Sequence, residues 1–118
     1  MSSQKIPILL NLIAALVGAF GQYYYKKGGT LFATTGKFFN FPTIVGIILF
    51  CAVMGFFVFS YKLGGKISVV YPFYATTFVW GAAIGHLIEK EEFNRLGFIG
   101  LLLVVAGVSI MAVASQKA

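Results

Sequence analysis

Asn11, Ala15, Gly18, Gln22 and Tyr25 recur at helical spacing in the first apolar stretch, with Lys26 adjacent. Amides and phenols in such a stripe can hydrogen-bond, and an ammonium at its end can pair with an anion. Polar side chains in apolar surroundings face a partner helix or a wet cavity, because hydrocarbon offers them no hydrogen bonds. Two readings of the stripe follow. Asn11 and Gln22 could bond to neighbouring helices in a close-packed contact. Alternatively the stripe is one wall of a substrate path, with Gly18 leaving space where a larger side chain would block it. A second group surrounds Pro72: Ser68, Tyr71, Tyr74, Thr76 and Thr77 can all hydrogen-bond. Proline removes a backbone donor and bends a helix, and a bent, hydroxyl-rich helix suits binding and movement. Tyr71 and Tyr74 could stack on a sugar ring or a planar cation, or anchor their helix at an interface.

No catalytic constellation accompanies these groups. There is no nucleophile with a base nearby, no phosphate-cradling glycine loop and no cofactor motif. Neither an enzyme nor a bound cofactor is expected. His86 and Glu89 stand three apart, with Glu91 and Glu92 close by. With no second histidine and no cysteine near them, the ligand count falls short of a metal site, and a solvated helix end is expected. The single cysteine, Cys51, rules out an intrachain disulfide and is expected as a small buried hydrophobe.

The elements that must position these residues are four long apolar runs, at roughly 6–25, 42–61, 67–88 and 96–114. A bilayer's hydrocarbon core is about 30 Å thick and a helix rises about 1.5 Å per residue, so each run is long enough to span. The runs are continuous rather than alternating, which disfavours strands. The hydrophobic fraction of 59% and mean hydropathy of +0.92 exceed what a soluble domain of this size could bury. The first run lacks a small-residue cleavage site and is expected to remain as a helix. The expectation is an all-α integral membrane bundle of four transmembrane helices, one domain over residues 1–118, with no room for a soluble domain.

The net charge of +6 comes from residues at the ends of the runs. They read as snorkelling anchors and headgroup contacts, not as a nucleic-acid surface. Lys5, Lys62, Lys66 and Lys117 fall on one side, and Lys26, Lys27, Lys37, Lys90 and Arg95 on the other. So even a split gives almost no positive-inside bias. Either another cue orients the chain, or copies insert both ways and pair antiparallel. Residues 28–41 read as the longest loop, with Phe38, Phe39 and Phe41 at the interface. Gly64 and Gly65 allow a tight reversal at 62–66, and all three acidic residues lie in the charged hinge at 89–95. Gly81 and Gly85 form a G-x-x-x-G pattern, and Gly100 and Gly107 share a face on the last helix, with Val104 between them. Small-residue seams favour helix–helix contact, so Gly100, Val104 and Gly107 are the expected dimer interface.

Three stretches carry a family resemblance over nearly the whole chain. Residues 21–26, G-Q-Y-Y-Y-K, are similar to the G-Q-x-x-x-K of the drug/metabolite transporter superfamily. Residues 70–80, V-Y-P-F-Y-A-T-T-F-V-W, resemble that superfamily's A-Y-P-x-x-x-x-x-x-x-W, and residues 100–108 resemble the dimerisation seam of small multidrug resistance proteins. Drug-exporting members carry a glutamate in the middle of helix 1. Aligning the Gly–Lys stretch puts Gly18 there, and no other acid lies inside a run. A membrane carboxylate is the usual device for proton-coupled cation exchange, so drug–proton antiport is not implied. The pattern is closest to the two small subunits of an undecaprenyl-phosphate-aminoarabinose flippase, which also lack that glutamate. The resemblance implies a multi-pass protein of the inner or plasma membrane that translocates a polyprenyl-phosphate-linked sugar or similar amphipathic substrate. It implies a homodimer, or a heterodimer with a similar small subunit, among membrane lipids. The expected substrate-binding residues are Asn11, Gly18, Gln22, Lys26, Tyr71 and Tyr74. Lys26 would pair with the phosphate, and the others would bond to or stack on the sugar. Small-molecule or cation efflux of the small multidrug resistance type is the alternative, and a non-transporting assembly subunit is a third.

Overall fold

The computed structural model describes residues 4–117; the side chains of residues 115–117, the expected anchor Lys117 among them, lie outside that description. The described residues form five helices and no strand: α1 (Lys5–Thr35), α2 (Phe41–Lys62), α3 (Ile67–Tyr74), α4 (Thr77–Leu87) and α5 (Arg95–Lys117). α3 and α4 lie along one apolar stretch. Four helical spans are therefore long and apolar enough to cross a bilayer, the pattern of a multi-pass membrane protein.

α1 is longer than its apolar run. It continues to Thr35 instead of ending near Tyr25, so most of the loop expected at 28–41 is helix. Glycine is a poor helix former in isolation, but Gly28 here is a packing residue. A Cβ at that position would run into Thr43 of α2. The Thr30 hydroxyl donates to Lys26 O at 3.1 Å and the Thr35 hydroxyl to Leu31 O at 2.7 Å, which satisfies these side chains inside the helix. The true connection is 36–40. Gly36 ends α1 in the left-handed region, φ 75°, and its N–H donates to Phe32 O at 2.9 Å. Asn40 then starts α2: its Oδ1 accepts from Thr43 N–H at 3.0 Å, with Pro42 in the first turn. The Asn40 amide also donates to Gly28 O at 2.9 Å, tying the start of α2 to α1.

Small residues set the α1–α2 contact. A Cβ on Gly21 would lie 2.6 Å from the Phe50 ring, and one on Gly46 would lie 2.6 Å from the Tyr25 ring. Tyr25 and Phe50 stack with centroids 5.1 Å apart and planes 6° apart. Below them the core is narrow, built from Ala14, Ala15, Ala19 and Val53, with Val69 and Val70 from α3. Asn11 is fully buried there. Its amide donates to Ser60 Oγ at 2.9 Å and to Pro7 O at 3.1 Å, while its Oδ1 is buried without a partner. Ser60 Oγ in turn donates to Phe56 O at 2.8 Å. Removing Asn11 would leave the Ser60 donor satisfied and would delete an orphaned acceptor. Asn11→Leu is therefore expected to change stability by less than about 1 kcal/mol. Thermal unfolding in detergent measures this, and a loss several times larger would mean that Oδ1 has a partner.

The turn after α2 is tight. Gly64 has φ 92°, and a Cβ on Gly65 would lie 2.8 Å from Ser60 O and 3.1 Å from Pro7. Gln4 clamps this turn from α1: it donates to Gly64 O at 3.1 Å and accepts from Lys66 N–H at 3.0 Å. Pro72 does more than bend the next span. Three residues on, the chain leaves α3 through Ala75 and Thr76, with i to i+3 bonds from Ala75, Thr76, Phe78 and Val79 N–H at 2.9–3.2 Å. This tightened turn separates α3 from α4.

The principal extents are 53 × 36 × 17 Å. α1 is the hub, packed on α2, α3 and α4, while α5 rests mainly on α3. The buried share of each span's most apolar window falls from 39% through 22% to 11% for the third, and on α5 Val108 is the one buried residue among the described side chains. The outward faces are apolar: Ile48, Met54 and Val58 on α2, and Leu102, Leu103 and Ile110 on α5, are all exposed. Cys51 joins them. The expectation is a buried hydrophobe, but it lies exposed on α2.

Candidate functional site

A cleft of about 760 Å³ opens beside α1. Ala19 and Gln22 of α1 and Phe50 of α2 form one wall. The broken span supplies the opposite wall with Tyr71, Pro72, Tyr74, Ala75, Thr77, Phe78, Gly81 and Ala82, and Val108 and Met111 of α5 complete it. The volume falls in the range of sites for small amphipathic ligands, and the lining has their usual character: apolar walls with a few polar groups. Those groups are the Gln22 amide, the Tyr71 and Tyr74 hydroxyls and the Thr77 hydroxyl.

Aromatic packing positions the tyrosines. Phe57 of α2 lies 5.0 Å from the Tyr74 ring and 6.1 Å from the Tyr71 ring, centroid to centroid, the latter edge-on. Tyr71 remains 62% exposed, so its ring face is available to a ligand. Tyr74 reaches across to α1, where its hydroxyl occupies the space that a Cβ on Gly18 would take. Gly18 therefore lets Tyr74 close on the α1 wall. In Gly18→Ala the tip of a flexible side chain must move, which is cheap, but Tyr74 must leave its place. The expected result is a several-fold loss of affinity for any ligand of the cleft with little change in thermal stability, read by ligand titration beside a melting curve.

The expected site residues divide. Gln22, Tyr71 and Tyr74 line the cleft, and Gly18 abuts Tyr74. Asn11 does not reach it and instead fastens α1 to α2. Lys26 lies one turn beyond Gln22, where it pairs with Glu91 and, at 3.4 Å, with Glu89. Glu91 stays exposed at this helix end while paired with Lys26, and Glu89 is less so, with side-chain exposures of 51% and 23%. Gly85 does not face another helix, because the Glu91 carboxylate covers it, with Oε1 2.6 Å from a would-be Cβ. A Cβ on Gly100 or Gly107 meets nothing within 4 Å, so this seam of α5 is open, while Val104 is half-buried. Lys27 instead lies over the Tyr23 ring, 5.1 Å from its centroid, and Lys62 over Phe59 at 5.6 Å.

Compared with protein-family models, curated proteins and solved structures, the chain matches none.

Sequence reasoning missed Phe50, Phe57, Glu89 and Glu91. The two aromatics carry no local signal, since phenylalanine in an apolar run fits a lipid-facing position equally well. The glutamates did carry one. They are two of only three acids in the chain, and they fall on the same side of the spans as Lys26.

Proposed function

We propose that this chain is a multi-pass membrane transporter of the flippase type, seated in the inner or plasma membrane. It would carry a polyprenyl-phosphate-linked sugar or a similar amphipathic, lipid-linked substrate between leaflets. The carrying observation is the cleft itself. Its apolar walls hold hydroxyl and amide groups at Gln22, Tyr71 and Tyr74, and an ammonium, Lys26, stands one turn beyond. Such a lining suits a molecule with a stackable, hydrogen-bonding headgroup, an anionic link and a hydrocarbon tail. The tail would stay in the bilayer through a lateral opening of the cleft. The exposed apolar faces support insertion, because such surfaces are tolerated in lipid and not in water. The G-Q-Y-Y-Y-K and V-Y-P…W stretches support the superfamily reading, and the role proposed is transport, not catalysis.

Native mass spectrometry of the purified protein tests this. A retained polyprenyl-phosphate glycolipid is the expected result; a protein that carries none, and flips none when reconstituted in vesicles, rejects the reading. Aromatic groups at Phe57, Tyr71 and Tyr74 also suit a planar organic cation, which is the second reading. Proton release on adding such a cation to the detergent-solubilised protein would favour it.

A dimer, homomeric or with a similar small subunit, is part of the proposal, since the four spans alone leave α5 open. Gly100→Leu and Gly107→Leu meet open space within the protomer. They are expected to leave its melting temperature unchanged while lowering the dimer fraction at least several-fold, measured by native mass spectrometry across a detergent dilution series. A dimer fraction that does not move would place the interface elsewhere.

A further inference from the structure

The two long walls of the cleft run on past it. On α1, Gln22 is followed one turn later by Lys26; on α4, Gly81 is followed one turn later by Gly85. The segment between α4 and α5 lies across these two positions. Lys26 Nζ bonds to Glu91 Oε2 and lies 3.4 Å from Glu89 Oε1. Specific backbone contacts aim both carboxylates there. Glu89 N–H donates to Ile84 O at 3.2 Å and Glu91 N–H to Gly85 O at 2.9 Å, folding the segment back over the end of α4. Lys90, between them, has φ 56°, a left-handed conformation that non-glycine residues rarely adopt. His86 Nδ1 is 3.0 Å from Glu91 O, close enough for the Nδ1–H tautomer to hold the segment as well. Gly85 has no side chain to keep the Glu91 carboxylate away.

We propose that Glu89 and Glu91 form a built-in anionic strap that closes the Lys26 end of the cleft in the empty protein. A phosphate-bearing amphiphile gains Lys26 by displacing that strap. The inference rests on the phosphate reading of Lys26 given above and adds how access to it is controlled. Exchange of carboxylate for phosphate leaves the Lys26 ammonium paired in both states, while the displaced carboxylates return to water. The strap is weak enough to yield, because the side chains of Lys26 and Glu91 are each about half exposed and water already competes for the pair. A neutral amphiphile has nothing to offer Lys26 and leaves the strap closed, which makes the strap a filter for anionic headgroups.

The test uses the full-length protein in neutral phosphatidylcholine vesicles, with dodecyl phosphate as the probe and dodecanol as the neutral control. Two quantities are read: the acylation rate of Lys26 by an amine-reactive ester, mapped by mass spectrometry, and the affinity for each probe. In Glu89→Gln/Glu91→Gln, both Lys26 acylation and dodecyl phosphate affinity are expected to rise about twofold to fivefold, the scale of partly exposed ion pairs that no longer compete. Dodecanol affinity should not change. Gly85→Ala keeps every charge, pushes the Glu91 carboxylate aside and should shift both quantities in the same direction. Unchanged acylation in both variants overturns the strap. So does dodecyl phosphate binding that is equal in the parent protein and both variants, which leaves the phosphate reading of Lys26 intact. Faster acylation with no dodecyl phosphate binding by any of the proteins overturns that reading, and the displacement with it.

Discussion

Gly28→Leu is expected to cost about 2–3 kcal/mol of stability, the upper range for over-packing a tight contact. Gly29→Leu, one residue on, is expected to cost nothing. Both glycines sit inside α1, and both substitutions improve helix propensity by roughly 1 kcal/mol, so propensity cannot separate them. Packing can. A Cβ at Gly28 collides with the Thr43 hydroxyl and lies 3.0 Å from the Thr43 backbone nitrogen, whereas a Cβ at Gly29 meets nothing within 4 Å. Thr43 cannot retreat, because its N–H is held by the Asn40 cap at 3.0 Å and Asn40 is held by Gly28 O. The substitution therefore wedges apart the most extensive helix contact in the molecule at the point where α2 begins. Thermal or denaturant unfolding of the two variants in one detergent, followed by helicity, gives the difference directly. Equal melting of the two would mean that α1 does not run as a helix through these glycines.

Lys26→Ala should lower flipping of a phosphate-linked lipid by about tenfold or more, the loss expected when a charge-assisted contact to a phosphate is removed. Folding should be unaffected, since the Lys26 side chain is 49% exposed and its pairs lie at the surface. Lys26→Arg keeps the charge and should retain most of the activity. Reconstituted vesicles with a fluorescent lipid-phosphate reporter measure the rate, and a melting curve on the same samples controls for folding. Full activity in Lys26→Ala would remove Lys26 from the transport path and leave it as a snorkelling anchor on α1. Loss of activity in Lys26→Arg as well would mean that geometry, not charge, matters at that position.

Span number and placement were legible because hydrophobicity is a local property. Each apolar run contains the core of one span. Where local signals and packing disagree, the sequence misleads. Gly28, Gly29 and the three threonines that follow read as a loop on their own. They are helical because Thr43 fits against Gly28 and the hydroxyls bond back one turn, and neither fact is visible within the segment. Pro72 marks the broken span correctly, but the break falls at Ala75 and Thr76, where the altered bonding is expressed.

The candidate site shows the same division. Tyr71, Tyr74, Gln22 and Gly18 come together because the helical repeat and the proline place them on facing surfaces. Asn11 shares their stripe but stands eleven residues from Gln22, a rise of about 16 Å along the helix. The neighbour changes over that distance, from α2 beside Asn11 to the cleft beside Gln22. Cys51 follows Phe50, and one step of about 100° around α2 turns it from the packed side to the open one. The ion pairs of Lys26 join residues more than sixty positions apart. Such a pairing follows from sidedness and acid scarcity, but its geometry depends on the left-handed turn at Lys90.

The decline in burial from the first span to the last has a consequence for synthesis. Chains emerge N-terminus first, so the hairpin of α1 and α2, complete at Lys62, can close before α3, α4 and α5 are made. α5 follows them, and among its described side chains only Val108 is buried against its own chain. The rest of that helix is thus released with its apolar side chains uncovered by the protein that bears it, and lipid or another polypeptide must cover them.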